Sequence, residues 1–301
     1  MLGLNLSSAF RSVLTIYILI PFIIIPQLLF SGVMVKFDSL HIRQHEYVPV
    51  IGDLMIARWA FEAVATNQFK NNDFEKLYFN YDIDLAENTW NKTLADALNA
   101  SLFNCLKYSD PVLVTATLEK VRRHAEELSG LSGIIIPELL LDSLKAGTYD
   151  FSERKRMGVL LDSIKSEFNN RWEKTTARRD LVTSDIQKKY GTAWLTRNLE
   201  SSDNRKLRDI VLDNMRINRF VETDEKVIRK YQPGFMKPTS LTGRAHFYAP
   251  VKRIGEKEID TYWFNTGVIW LITALLYMAL YFRLPQKIIS ISDNLRMKKP
   301  E

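Results

Sequence analysis

His41, His45 and Glu46 are the first side chains in this chain whose types and spacing could do chemistry. On a helix the two imidazoles would stand at i and i+4 beside a carboxylate, which could supply two metal ligands. The other histidines, His124 and His246, are remote in sequence and no third ligand is specified, so no metal site is predicted. Arg58 and Glu62 form a second set, an opposite-charge pair at i and i+4 in a stretch otherwise carrying Met55, Trp59, Phe61, Val64 and Phe69. A helix of this kind suits the outer headgroup boundary, with Trp59 as anchor, or the buried core of a domain. Catalytic patterns are missing: there is no Gly-x-x-x-x-Gly-Lys-Ser/Thr, Gly-x-Ser-x-Gly, His-Glu-x-x-His or Cys-x-x-Cys. No catalytic residue and no nucleotide-binding residue is predicted. The pairs Arg122-Arg123 and Arg178-Arg179 read as solvated helix faces.

The elements that must position these residues begin with two uncharged apolar runs, Ser12 to Met34 and Trp263 to Phe282, of 23 and 20 residues. At roughly 1.5 Å of rise per residue, each can cross a hydrocarbon core of about 30 Å as a helix. Two crossings return the chain to its starting side, so the residues between them form one segment on the opposite face. In the first run Pro21 and Pro26 each remove a backbone donor, which predicts a kinked or broken helix that packs inside a bundle. Ser31 and Gly32, near its outer end, are small enough for close helix approach. Gln27 is the only amide in the run and should face protein, as a pathway residue or as interhelical glue. The second run carries Tyr262, Trp263 and Phe264 at one end and Tyr277, Tyr281 and Phe282 at the other, an aromatic belt at both interfaces.

The formal net charge of +6 looks like a nucleic-acid signal until it is divided by region. Arg11, Arg283, Lys287, Arg296, Lys298 and Lys299 lie outside the spans against only Asp293 and Glu301, while the long middle segment is nearly balanced. The excess is therefore a topology signal, and no nucleic-acid partner is predicted. Both termini should be cytoplasmic and the middle segment extracytoplasmic, in an inner (cytoplasmic) membrane. The first run is long for a signal-peptide core and lacks a small-x-small cleavage pattern, so it is read as retained. Cys105, the single cysteine, cannot form an internal disulfide and reads as a buried small side chain.

Between the spans the apolar spacing is helical: Leu118, Val121, Ala125 and Leu128, then Met157, Leu160, Leu161, Ile164 and Phe168. Further helices are predicted through Leu181, Ile186, Tyr190 and Trp194, and from Leu207 through Met215 towards Phe220. Gly130 to Gly133, Gly147 to Asp150, Gly191 and Pro233 to Pro238 read as breakers, which predicts short helices. Residues 233–260 read as loop with a short hairpin. The fold class is mainly α, a membrane protein with two transmembrane helices flanking a large, mostly helical extracytoplasmic insertion. The predicted division is a cytoplasmic lead-in (1–11), a transmembrane helix (12–35), an interfacial link with an amphipathic helix (36–70), an extracytoplasmic helical domain (71–261), a second transmembrane helix (262–283) and a cytoplasmic basic tail (284–301).

Reading out of the first run, the chain passes Pro26-Gln27-Leu28-Leu29-Phe30-Ser31-Gly32-Val33-Met34, then Arg58-Trp59-Ala60-Phe61-Glu62-Ala63 and Asn67-Gln68-Phe69. This resembles the ABC-2 type exporter permeases, in particular their ABCG-like (White/pigment) branch. There an apolar span ends in a Phe-Ser-Gly turn and an interfacial helix reads Arg-Tyr-x-Phe-Glu-Ala. The opening Gly3-Leu4-Asn5-Leu6-Ser7-Ser8-Ala9 and the last span with its basic tail also look like that family. The resemblance covers roughly residues 1–70 and 255–290. It departs in two respects: the family usually carries four further spans and an ATP-binding domain ahead of this point, and its outer loop is much shorter.

The resemblance implies the C-terminal part of a larger permease, or a split subunit, with an enlarged external domain. It implies that Val33 and Met34 form a hydrophobic valve at a dimer axis and that Phe22, Gln27 and Phe30 line a translocation pathway. It places Arg58, Trp59, Phe61 and Glu62 on the interfacial helix. The implied partners are the bilayer, an ABC nucleotide-binding domain, the remaining transmembrane helices, a second copy of the chain and a transported substrate of unknown identity. ATP and magnesium belong on the nucleotide-binding partner; this chain itself is expected to hold no cofactor. Two other layouts share the terminal spans: a structural regulator of polysaccharide chain length, and a receptor with an external sensing domain. Short helices count against the first, and a tail of about nineteen residues without an output domain counts against the second.

Overall fold

A computed structural model describes residues 1–10, 12–37, 46–108, 110–145, 147, 149–223 and 225–287. The chain divides into two compact units, residues 1–67 with 237–301, and residues 68–236. His41, His45, Arg11 and the tail carrying Arg296, Lys298 and Lys299 lie outside the described residues.

The first unit opens with α1 (Leu2–Ala9) and α2 (Val13–Leu29), followed by the short α3 (Val50–Asp53) and by α4 (Ile56–Lys70), which belongs to this unit as far as Asn67. After the second unit the chain returns through a hairpin, β3 (Val251–Ile254) and β4 (Lys257–Asp260), into α11 (Thr261–Tyr281). The strands pair antiparallel with Val251 opposite Asp260 and Ile254 opposite Lys257, so the short hairpin expected in residues 233–260 is present. Asp260 then caps α11, its carboxylate accepting the Tyr262 N–H at 2.9 Å.

α11 is long and apolar enough to cross a membrane, and its apolar surface is almost wholly uncovered by protein. The chain is therefore a membrane-associated, mainly helical protein with at least one membrane-spanning helix. α2 differs from expectation. It holds Pro21 and Pro26 within one helical element but ends at Leu29, short of the expected span, so its 17 residues rise about 25 Å, and Phe30 to Met34 form turns instead of continuing the helix. Its end follows from Gly32, whose φ of +84° is left-handed and stops an α-helix.

Polar contacts tie the start of this unit to its return. Asn5 donates to the Leu276 carbonyl at 2.8 Å, and Gln286 donates to the Ser8 carbonyl at 2.7 Å, so α1 sits against the C-terminal end of α11. At the other end of α2, Gln27 Oε1 accepts the Ala57 N–H at 3.1 Å and so caps the first turn of α4.

The second unit is a helical body built on α5 (Glu75–Cys105), α6 (Pro111–Ser132), α7 (Glu138–Asp142), α8 (Phe151–Tyr190), α9 (Thr192–Ser202) and α10 (Arg205–Leu212). The predicted apolar stripes form its core: Leu118, Val121, Ala125 and Leu128 of α6 pack with Met157, Leu161, Ile164 and Phe168 of α8, and with Leu98 and Leu102 of α5. Asp110 caps α6 through the Val112 N–H at 2.9 Å, and Asp150 caps α8 through the Glu153 N–H at 2.9 Å. Cys105 is buried as expected, and burial pushes its thiol pKa up, which keeps it unreactive.

Two expectations fail here. The helices are not short, since α5 has 31 residues and α8 has 40, about 60 Å of helix. Residues near Phe220 form strand, not helix: β1 (Phe220–Glu222) pairs antiparallel with β2 (Val227–Arg229). This hairpin is held to α6, because Lys120 Nζ stands 2.6 Å from Glu222 Oε1 and His124 Nε2 accepts the Val227 N–H at 3.0 Å.

Candidate functional site

Glu62 is the centre of a buried charge cluster in the first unit. It lies in α4 with no exposed surface, and three elements converge on its carboxylate. Lys252 Nζ of β3 donates to Oε1 at 2.8 Å, and Asn265 Nδ2 of α11 donates to Oε2 at 2.8 Å. Arg58, one turn earlier on α4, places Nη2 3.3 Å from Oε2. Asn265 also donates to the Trp59 carbonyl at 3.2 Å, so one amide holds both the side chain and the backbone of α4.

Isolated burial of a carboxylate or an ammonium would cost several kcal/mol per ion. Here burial would raise the Glu62 pKa, but Arg58 and Lys252, with the hydrogen bonds from Lys252 and Asn265, outweigh it and hold the carboxyl below its ordinary value. Burial lowers the pKa of the Lys252 ammonium, against the attraction of Glu62. Burial likewise lifts the Asp53 carboxyl above its usual value, although Arg58, Arg244 and Lys252 pull the other way. Asp53 Oδ1 stands 3.5 Å from Arg58 Nη1, and Oδ2 stands 3.7 Å from Arg244 Nη2.

An aromatic shell encloses the cluster. The Arg58 guanidinium lies 4.0 Å from the centre of the Trp59 ring, and Trp59 packs 6.3 Å from Phe264 of α11. Phe61 stacks on Phe247 at 6.4 Å and meets Tyr248 at 6.3 Å. Gly32 lets this shell close, since a Cβ there would lie 2.5 Å from the Phe37 ring and 2.7 Å from Phe247.

The residues singled out by sequence fall into two groups. Arg58, Trp59, Phe61, Glu62 and Gly32 take part in this packing, with the Arg58–Glu62 pair buried; Gln27 accepts the Ala57 N–H from α2, and Ser31 donates to the Leu28 carbonyl at 2.7 Å. Phe22, Val33 and Met34 are exposed, Pro21 is exposed, and Pro26 and Phe30 are half-buried, so these side chains do not converge on the cluster. Sequence reasoning missed Lys252, Asn265, Asp53 and Arg244. Asn265 alone left a signal, as an amide near the start of an apolar run.

The arrangement fastens α4, β3 and α11 together through buried charge. Among the described residues no group of histidine, cysteine and carboxylate side chains could hold a metal ion. Residues 1–69 match the family model of the ABC-2 type transporter. Searches against characterised proteins and solved structures give no match. The matched stretch takes in α1, α2 and α3 and all but the last residue of α4, so the segment carrying Gln27, Arg58 and Glu62 is the part similar to the ABC-2 type transporter model.

Proposed function

We propose that this chain is a membrane-spanning part of an ATP-driven ABC-2 type exporter of the ABCG-like branch, with residues 68–236 as an enlarged extracytoplasmic domain. The observation that carries this reading is that the residues matching the transporter family are the ones fastened to α11. α1 is tied to α11 at Leu276, and α4 is tied to it at Asn265. With α2 joining α1 to α4, and Gln27 capping α4, the two apolar helices form a closed frame that transmits a displacement as a body.

In this reading α2 and α11 both cross the bilayer, and the chain pairs with a second copy. Val33 and Met34 form the valve on the dimer axis, with Phe22, Gln27 and Phe30 along the pathway. Exposure of Phe22, Val33 and Met34 in the single chain fits surfaces that a second copy and further helices cover. ATP and magnesium bind a nucleotide-binding partner, and coupling is mechanical: the nucleotide shifts the dimer between arrangements that differ in access.

Purification with the cognate nucleotide-binding subunit and reconstitution in liposomes tests this. The chain alone should turn over no ATP, and the complex should hydrolyse ATP and move substrate. Intrinsic ATPase activity of the chain, or failure to assemble with any ABC ATPase, would overturn the proposal. A second reading gains from one observation. The long α5 and α8 suit an extended regulator of polysaccharide chain length, and an altered surface polysaccharide length in a deletion strain, with no ABC ATPase partner, would favour it.

A further inference from the structure

α5 and α8 of the second unit lie antiparallel, and their side-chain contacts run from Lys92 and Asn169 at 3.1 Å, through Asp82 and Arg179 at 2.8 Å, to Tyr78 and Thr183 at 3.2 Å. The C-terminal end of α8 therefore stands beside the start of α5, the end at which the chain enters this unit at Gln68. α9 is fastened to the same end, because Asn198 donates to the Asp73 carbonyl at 3.2 Å. Glu62, bonded to Asn265 in the first two turns of α11, is nine residues upstream of Asn71. The chain alone thus keeps this end of the unit within roughly 30 Å of the place where α11 enters the bilayer.

Two aromatic rings are left uncovered there. Tyr190, the last residue of α8, and Trp194, in the first turn of α9, stack with ring centres 4.7 Å apart and planes at 27°, and they remain 50 % and 39 % exposed. Among the described residues neither the Tyr190 hydroxyl nor the Trp194 indole N–H has a hydrogen-bond partner. Lys189 Nζ lies 5.0 Å from the centre of the Tyr190 ring, and the Lys188 side chain is exposed, with Asp185 no nearer than 3.8 Å. Around the rings the exposed cations Lys188, Lys189, Arg197, Arg205 and Lys206 outnumber the exposed carboxylates Asp185 and Glu200, since Asp203 is turned inward onto Arg208 at 3.1 Å. Tyrosine and tryptophan with an apolar face and an unmet polar tip, set among Lys and Arg, match the chemistry of a membrane–water interface.

We propose that Tyr190 and Trp194, with the cations around them, dock the entry end of the second unit onto the anionic headgroup layer of the membrane that α11 crosses. The rings bury their apolar faces at headgroup level and offer the hydroxyl and the indole N–H to phosphate and glycerol oxygens. Lys188, Lys189 and Arg197 meet the negative surface, each adding attraction that falls off within a Debye length. The inference needs only that α11 spans the membrane, and it stands whether or not the chain is part of a transporter.

Fluorescence quenching of the full chain in nanodiscs of equal parts phosphatidylcholine and phosphatidylglycerol, with a nitroxide on the lipid headgroup, tests it. In a Cys105→Ala background, one fluorophore is placed on Ala193→Cys, an exposed position between the two rings, and in a separate protein on Val112→Cys, exposed beside the far end of α5. The Ala193→Cys label should be quenched by the lipid nitroxide and the Val112→Cys label should not. Lys188→Gln with Lys189→Gln, which keeps both rings, should lower the docked-to-free ratio by roughly an order of magnitude. Tyr190→Ala with Trp194→Ala should abolish the quenching, and the charge variants decide the matter if the ring variants misfold. Quenching no greater at Ala193→Cys than at Val112→Cys, or quenching unchanged in both sets of variants, would overturn the proposal. So would a label shielded from acrylamide but untouched by the lipid nitroxide, the result expected if a second copy of the chain covers the rings.

Discussion

Asn265 donates its side-chain amide to Glu62 across 203 positions of sequence, at 2.8 Å and with neither residue exposed. That bond joins the membrane-spanning α11 to α4, the last helix of the stretch that matches the transporter-family model. Its worth depends on Glu62 being ionised, because Glu62 also neutralises Lys252 and Arg58.

Glu62→Gln should therefore destabilise the first unit by about 3–5 kcal/mol, since it leaves the buried Lys252 ammonium without its partner carboxylate and Arg58 with Asp53 alone. The thermal midpoint of the detergent-solubilised chain should fall. Glu62→Gln combined with Lys252→Met should recover most of the loss, because the second change removes the stranded ammonium. An unchanged midpoint in the single variant would show that the cluster does not hold these elements together.

Glu75 should make the second unit less stable as pH rises. Burial, reinforced by the charge of Asp82, pushes its carboxyl up to about 7 against the pull of Arg208 and Arg179. The folded state thus holds a proton that the unfolded chain releases near its ordinary value of 4.5. Its contribution is full below that value and is lost as pH rises through about 7. Glu75→Gln should flatten this slope, with a gain of roughly 1–3 kcal/mol at pH 8. Hydrogen exchange along the first turns of α5 from pH 5 to pH 8, corrected for intrinsic rates, measures it, and equal slopes in wild type and variant would contradict it.

Gly32→Ala should cost more than Gly133→Ala, although both glycines have φ near +80°. A Cβ meets open space at Gly133 but would crowd Phe37 and Phe247 at Gly32. The left-handed backbone alone costs about 1 kcal/mol, and the ring contacts at Gly32 should at least double that. Equal shifts in thermal midpoint would mean that the aromatic shell yields to the added methyl.

Much of the second unit was legible because its helices bury one regular face. Leu118, Val121, Ala125 and Leu128 recur at helical spacing and end in the core together. Helix lengths were not legible, because Gly130 and Gly158 sit inside helices despite their weak propensity; Gly158 packs closely, since a Cβ there would approach Asn99 of α5 at 3.2 Å. Three-residue strands such as β1 and β2 are too short for alternation to register. At the candidate site, the local pair Arg58 and Glu62 showed in the spacing. Lys252 did not, being 190 positions from Glu62 and brought to it only by the tertiary fold.

Accessibility of single cysteines in sealed right-side-out membrane vesicles tests most directly whether α2 and α11 both cross the bilayer with the chain between them outside. In a Cys105→Ala background, Met215→Cys and Leu241→Cys, both at exposed positions, should react with a membrane-impermeant maleimide. Ser7→Cys and Leu284→Cys should react only after the vesicles are opened. Labelling of Ser7→Cys in sealed vesicles, or protection of Met215→Cys there, would contradict the two-span arrangement.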